Sequence, residues 1–136
     1  MSSRRAIVAG HGDFAAGMVS AVVQITGRDD VFVAMTARGL SAQDVERGMR
    51  TAATEGVSVI FTDLPAGSCT MAARRLQRDR PQLQVVTGAN LAALLDFVFS
   101  EAPDAAAAAA EAVEKGRQSL MVAGGGPGGR GGSRGA

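Results

Sequence analysis

A chain of 136 residues, 46% of them apolar, can build one domain with a packed core and is too short for two ordinary ones. Its formal charge of +1 hides an asymmetry: without Arg4, Arg5, Arg130 and Arg134 at the ends, 10 basic residues face 13 acidic ones. With no Trp, no Tyr and five Phe, this balance excludes a nucleic-acid surface, which needs a basic stripe and stacking aromatics. One cysteine rules out an internal disulfide, and one Cys with one His cannot build a conventional zinc site without carboxylates or a second chain. The apolar stretch before Gly10 is too short for a signal peptide, and no run of about 18 apolar residues offers a membrane span, so the chain reads as cytosolic.

Along the chain, short β-branched runs alternate with Ala-rich segments of helical period. The runs "RAIVAG" (5–10), "VFVAMT" (31–36), "VSVIFT" (57–62) and "LQVVTG" (83–88) are almost wholly apolar, as expected of strands covered on both faces. Between them, helices are predicted over Phe14–Ile25, stopping at Gly27, over Ser41–Glu55, stopping at Gly56, and over about Ser68–Arg78. Ser41 with Asp44 resembles a capping box. After the fourth strand, Asn90 is the predicted N-cap of a helix to about Phe99, and Pro103 with Asp104 opens another to Glu114. The six-alanine run at 105–110 reads as helix, since Ala is the best helix former. "SLMVA" (119–123) is a candidate fifth strand, and residues 124–136, "GGGPGGRGGSRGA", form a Gly-rich tail with no apolar content to offset the entropy of ordering. The expected fold class is α/β: an open, mainly parallel four- to five-stranded sheet with helices on both faces, in one domain spanning 1–123.

In such sheets ligands bind beyond the carboxyl ends of the strands. Four loops lie there: Gly10–Asp13, Thr36–Gly39, Asp63–Gly67 and Thr87–Asn90. Gly10, Gly12 and Ala15 formally satisfy the dinucleotide fingerprint, but the second strand ends in "MTARG" with no acid to hold a ribose, and no Walker-type motif occurs.

His11, the only histidine, stands between two glycines that leave its ring accessible and let backbone N–H groups approach an anion. The following helix turns its positive end to the same space. Imidazole suits a transient nucleophile near neutral pH if its other ring nitrogen is held in one tautomer. Asp63, at the end of an otherwise apolar strand, is either a loop residue entering the next helix or the carboxylate that does this holding. Ser68 is either the N-cap of that helix or a hydroxyl that binds phosphoryl oxygens beside Gly12 and Gly67. A hydrolase reading of Ser68, His11 and Asp63 lacks the G-x-S-x-G elbow, and Cys69, a possible nucleophile for His11, is more simply a buried packing residue. "RRLQRDR" (74–80) reads as a solvated, basic helix end. A phosphohistidine phosphatase or mutase would need arginine around His11, and the sequence places only Gly10 and Gly12 beside it.

The segments "IVAGHGDFAAGM", "VIFTDLPAGS" and "VVTGANLAALLDF" resemble, in order and spacing over residues 5–120, the IIA component of the mannose-type sugar phosphotransferase system, nearest its N-acetylgalactosamine branch. The resemblance implies a homodimeric α/β phosphocarrier. It implies that the histidine carrier protein phosphorylates His11, which Asp63 hydrogen-bonds, and that the phosphoryl group passes to a IIB component and reaches sugar only indirectly through the membrane components IIC and IID. Ser68 becomes the loop hydroxyl, and neither metal nor organic cofactor is implied. The alternative is a regulatory IIA-like module that controls a partner by binding or by its phosphorylation state. The chain departs from the family where two glycines, Ser or Thr, and Pro are usual: it has Ala66, Gly67, Ser68 and Cys69, and Ala66 bars a left-handed backbone at that position.

Overall fold

The computed structural model describes residues 4–54 and 56–124. Among these, the elements run β1 (Arg5–Gly10), α1 (Phe14–Thr26), β2 (Phe32–Thr36), α2 (Ala42–Ala52), β3 (Val57–Thr62), α3 (Ser68–Asp79), β4 (Gln84–Val86), α4 (Leu91–Phe99) and α5 (Ala105–Ser119). All strand pairs are parallel and the sheet order is β2-β1-β3-β4, so β1 and β3 are central.

Alternation along the central strands divides the core. Ala6, Val8, Val59 and Phe61 face one way and pack with Val22, Ala93, Leu94, Phe97 and Ala108 of α1, α4 and α5. Ile7, Ala9 and Ile60 face the other way, against Val45 and Met49 of α2 and Cys69, Ala72 and Leu76 of α3. Because both faces are covered, β1 and β3 carry polar residues only at Arg5, Ser58 and Thr62, which is why their sequences read as nearly continuous apolar runs. Three of the five phenylalanines form one aromatic knot: Phe61 and Phe97 lie 5.3 Å apart edge to face, with Phe32 at 6.0 and 5.8 Å from them.

The helix boundaries follow local chemistry. Ser41, Asn90 and Asp104 each accept a hydrogen bond from the backbone N–H three residues on, capping α2, α4 and α5. Gly27 adopts φ 74° and closes α1. Helix α2 ends earlier than its expected stop at Gly56: its cap is Ala53, whose carbonyl accepts from the Arg80 side chain, and Thr54 already turns back onto Ala52. Helix α5 instead runs past Glu114 to Ser119, passing through Gly116, where a Cβ would stand 3.0 Å from Asn90 Oδ1 and 3.2 Å from the Ala93 side chain.

The candidate fifth strand is not formed. Residues 120–122 follow α5 without joining a ladder, and Leu120, Met121 and Val122 are 84%, 70% and 81% exposed. Apolar content cannot make a strand without a neighbour to take its backbone hydrogen bonds. The Gly-rich tail from residue 125 onward lies outside the described residues. The basic segment 74–80 is the exposed face and end of α3, and it is laced to α2 through Arg75–Glu46 at 3.5 Å and Arg50–Asp79 at 2.7 Å.

Truncating the aromatic knot tests this packing. Phe97→Ala removes a fully buried ring from between Phe32 and Phe61 and is expected to lower stability by about 3–5 kcal/mol in chemical denaturation.

Candidate functional site

Sheet order fixes where the four rim loops meet. From β1 the chain leaves through α1 on one face, and from β3 it leaves through α3 on the other, so the carboxyl ends of these neighbouring strands open a crevice at the point where the winding reverses. His11 follows β1 and Asp63 follows β3. Residues 52 apart in sequence are thereby brought together.

One carboxylate oxygen makes the contact. Asp63 Oδ2 accepts the backbone N–H of His11 at 2.8 Å and lies 2.8 Å from the ring Nδ1. With a carboxylate as its partner, Nδ1 carries the hydrogen, and Nε2 keeps its lone pair. The imidazole is 58% exposed while Asp63 is only 13% exposed, so the acid is a fixed socket and the ring an accessible tool. Partial burial pushes the Asp63 carboxyl up, but the backbone and ring N–H groups of His11, joined by its charge when the ring is protonated, outweigh it and hold the group below the usual carboxylate range.

Gly10 makes the approach possible. A Cβ there would lie 2.8 Å from the Asp63 carboxyl and 2.7 Å from the Phe14 ring, inside any real contact distance. Gly12 has φ 52°, which turns the chain from His11 into α1.

The nucleophilic side of the ring faces α3. A Cβ on Gly67 would stand 3.4 Å from His11 Cε1 and 3.9 Å from Nε2, so the backbone at the start of α3 lies beside the free nitrogen. Gly67, at φ 116°, is the N-cap and has no side chain to occupy the first N–H groups of the helix. Those donors and the helix dipole make this end receptive to an anion. Ser68 is therefore the first helical residue rather than the cap, half-buried beside the same space. Ala66 keeps a negative φ, as no described residue other than glycine has a positive one, and the left-handed step falls on Gly67 instead. Cys69 points into the core at 1% exposure; burial and the charge of Asp63 push its thiol up, against a hydrogen bond from Ser68. It is no thiolate partner for His11.

Two groups of residues escape a linear reading of the sequence. The first is a buried pair of hydroxyls, Thr62 and Thr70, 2.6 Å apart. Thr70 donates to the Leu64 carbonyl at 2.6 Å, which leaves Thr62 to donate to Thr70. This chain ties the end of β3 to the first turn of α3 across the Asp63 loop. The second is the loop after β2. Ala37 N–H donates to the Gly10 carbonyl at 3.3 Å, the Thr36 hydroxyl donates to the Gly12 carbonyl at 2.9 Å, and Arg38 N–H donates to that hydroxyl at 3.1 Å. Arg38 Nη2 then pairs with Asp13 at 3.1 Å. An arginine does stand beside the histidine loop, then, supplied by the adjoining strand. The signal was the position of Thr36–Gly39 among the rim loops, but only the β2-β1 pairing tells which loop it touches. Among the described residues, no three His, Cys, Asp or Glu side chains gather as a metal site requires.

Residues 5–115 match the family described as the PTS system fructose IIA component, EIIA-man, and the chain belongs to this family of phosphotransferase-system proteins. The fold is shared with phosphotransferase system component EIIA from Streptococcus agalactiae, which is 19% identical with a TM-score of 0.77 over 87% of this chain and 95% of that one. The mannose/sorbose specific IIA subunit from Enterococcus faecalis is similar at 23% identity and TM-score 0.77, over 88% of this chain and 93% of that one. The PTS IIA protein associated with the fucose utilization operon from Streptococcus pneumoniae is 22% identical, with TM-score 0.76 over 88% and 92%. No curated protein matches the sequence significantly. No helix among the described residues is long and apolar enough to cross a membrane.

The tautomer is directly measurable. In ¹⁵N NMR of the native chain, His11 is expected to hold its hydrogen on Nδ1; Gly10→Ala and Asp63→Asn are expected to move it toward Nε2. A pH arm follows from linkage. Because the folded Asp63 carboxyl sits below its unfolded value, the contact contributes fully at neutral pH, and its contribution is lost as pH falls through the folded value. The stability difference between the native chain and Asp63→Asn should therefore shrink on acidification.

Proposed function

We propose that this chain is a cytosolic phosphocarrier in which Nε2 of His11 accepts a phosphoryl group from the histidine carrier protein and delivers it to a IIB component. The single observation that carries this reading is the two-pronged hold of Asp63 on His11, which fixes the ring by its backbone and by Nδ1 and leaves Nε2 exposed beside the start of α3.

In the loading step, the Nε2 lone pair attacks the phosphorus of the donor's phosphohistidine. A new P–N bond forms on His11 as the donor's P–N bond breaks, and the donor ring keeps that electron pair. Positive charge grows on the His11 imidazole as this happens, and the ionised Asp63 carboxylate stands against it at Nδ1. The phosphoryl oxygens are received by the backbone N–H groups of Gly67 and Ser68, the Ser68 hydroxyl and the backbone beside Gly12. Delivery to IIB is the same displacement with His11 as the leaving ring. Positioning and anion stabilisation are what phosphoryl transfer chiefly requires, and an exposed ring on a rigid rim lets two different partners reach it in turn.

A second copy of the chain belongs to this proposal. The exposed Leu120, Met121 and Val122 at the end of α5 are apolar surface of the kind that a subunit interface covers.

Phosphoenolpyruvate, enzyme I and the histidine carrier protein, mixed with the native chain, should add one acid-labile phosphoryl group by intact mass. His11→Ala should take up none. Asp63→Asn, which keeps the shape but not the charge, should slow loading about 10- to 100-fold. A folded sample that stays unmodified while a IIA control is loaded would remove the carrier reading and leave the regulatory one.

A further inference from the structure

Arg38 is held beside Gly12, the residue that follows His11, and pairs with Asp13 rather than with the histidine. Its backbone is fixed: the loop after β2 is stapled to the His11 loop through Ala37 N–H on the Gly10 carbonyl, and through the Thr36 hydroxyl, which joins the Gly12 carbonyl to Arg38 N–H. Its side chain is not. The side chain is 63% exposed, and its one charged partner among the described residues, Asp13, is 86% exposed, an arrangement in which an ion pair is weak and readily exchanged. The guanidinium already lies over the chain next to the nucleophile, since a Cβ on Gly12 would be 3.4 Å from Arg38 Nη2, and Gly12 is the immediate neighbour of His11.

A phosphoryl group on His11 brings up to two negative charges and three acceptor oxygens into this space. Asp13 offers one charge on a freely solvated carboxylate. Arginine binds phosphate through paired, charge-assisted N–H donors, so the new anion outcompetes the old one for the same fork. The move needs only rotations of the arginine side chain about a backbone that stays stapled.

We propose that the Arg38 guanidinium, parked on Asp13 in the unphosphorylated chain, turns onto the phosphoryl group carried by His11 and supplies its countercharge. This rests on the phosphocarrier reading and adds to it a phosphoryl-contacting residue from a third rim loop. The chemical consequence is a phosphohistidine held more firmly than Asp63 and the α3 start alone would hold it. Arg38 is thus a residue that sets the balance between storing the phosphoryl group and releasing it to the acceptor.

The test needs no partner protein. Phosphoramidate transfers a phosphoryl group to histidine chemically, and ³¹P NMR then follows the ionisation of the group on His11 as pH is varied. A contacting cation favours the doubly charged form, so the midpoint in Arg38→Ala is expected to rise by about 0.5–1 pH unit relative to the native chain. Arg38→Lys should fall between the two, and Asp13→Asn, which frees the guanidinium, should shift the midpoint downward. A merely structural role for Arg38 would leave the midpoint in place. If native and Arg38→Ala phosphohistidine titrate together, the proposal is overturned while the carrier reading stands. If the native chain takes up no phosphoryl group on His11 from phosphoramidate or from the histidine carrier protein, both fall together.

Discussion

The site depends on one carboxylate oxygen accepting two hydrogen bonds from one residue. Asp63 Oδ2 grips both the main chain and the ring of His11, so it fixes the position of the imidazole and its tautomer with the same atom. Nearly every unusual feature nearby can be read as a condition for that grip. It needs the ends of β1 and β3 side by side, hence an order in which the two strands are neighbours although β2 separates them in sequence. It needs a carboxylate that is ionised though largely covered, and the backbone and ring N–H groups of His11 overcome the cost of burial. It also needs a residue without a side chain at the end of β1, because Asp63 occupies the space that a Cβ on Gly10 would take.

Winding direction does the rest. Since α1 and α3 leave on opposite faces, the loops that feed them part at the crevice and leave the ring standing between, exposed on one side and backed by the start of α3 on the other. The polar cost of ending a buried strand there is met locally. Thr62 donates to Thr70 and Thr70 to the Leu64 carbonyl, so the turn that carries Asp63 is anchored from both of its ends. A buried pair of threonines is therefore part of the positioning apparatus, although neither faces the exposed crevice.

Much of this was legible in the sequence, for identifiable reasons. The central strands stood out because burial on both faces leaves little room for polar residues, the edge strands by their short β-branched runs, and three of the helix starts were marked by Ser41, Asn90 and Asp104, whose capping is a local interaction. The rule that loops at strand carboxyl ends share a rim put His11 and Asp63 among the same candidates and left open whether Asp63 was a loop residue or the holding carboxylate; the family resemblance implied their hydrogen bond. The failures were non-local. Gly56 looked like the stop of α2, but the final carbonyl found Arg80, from a different loop, three residues earlier. "SLMVA" had strand composition without a strand beside it. Thr62 and Thr70 carry no sequence signal of their own, because a hydroxyl on a helix or strand is usually just compatible with its surroundings. Arg38 was in a loop already placed on the rim, yet only knowledge that β2 pairs with β1 sets it against Gly12 rather than elsewhere.

The loop "DLPAGSCT" shows how a departure from a family pattern can be absorbed. Where two glycines in succession would allow two left-handed steps, Ala66 permits none, and the chain makes its single left-handed turn at Gly67. Where a proline would pre-set the first turn of the helix, the turn is instead fixed by the side chains that follow: Cys69 fills the core and Thr70 bonds back to the Leu64 carbonyl. Rigidity that proline would supply through its ring is supplied here through packing and hydroxyls. The result keeps an unobstructed helix start beside Nε2, flanked by Leu64 and Met71, which remain 52% and 54% exposed. Backbone geometry and outward surface are thus separable in this loop: Gly67 sets the first, and the flanking side chains set the second.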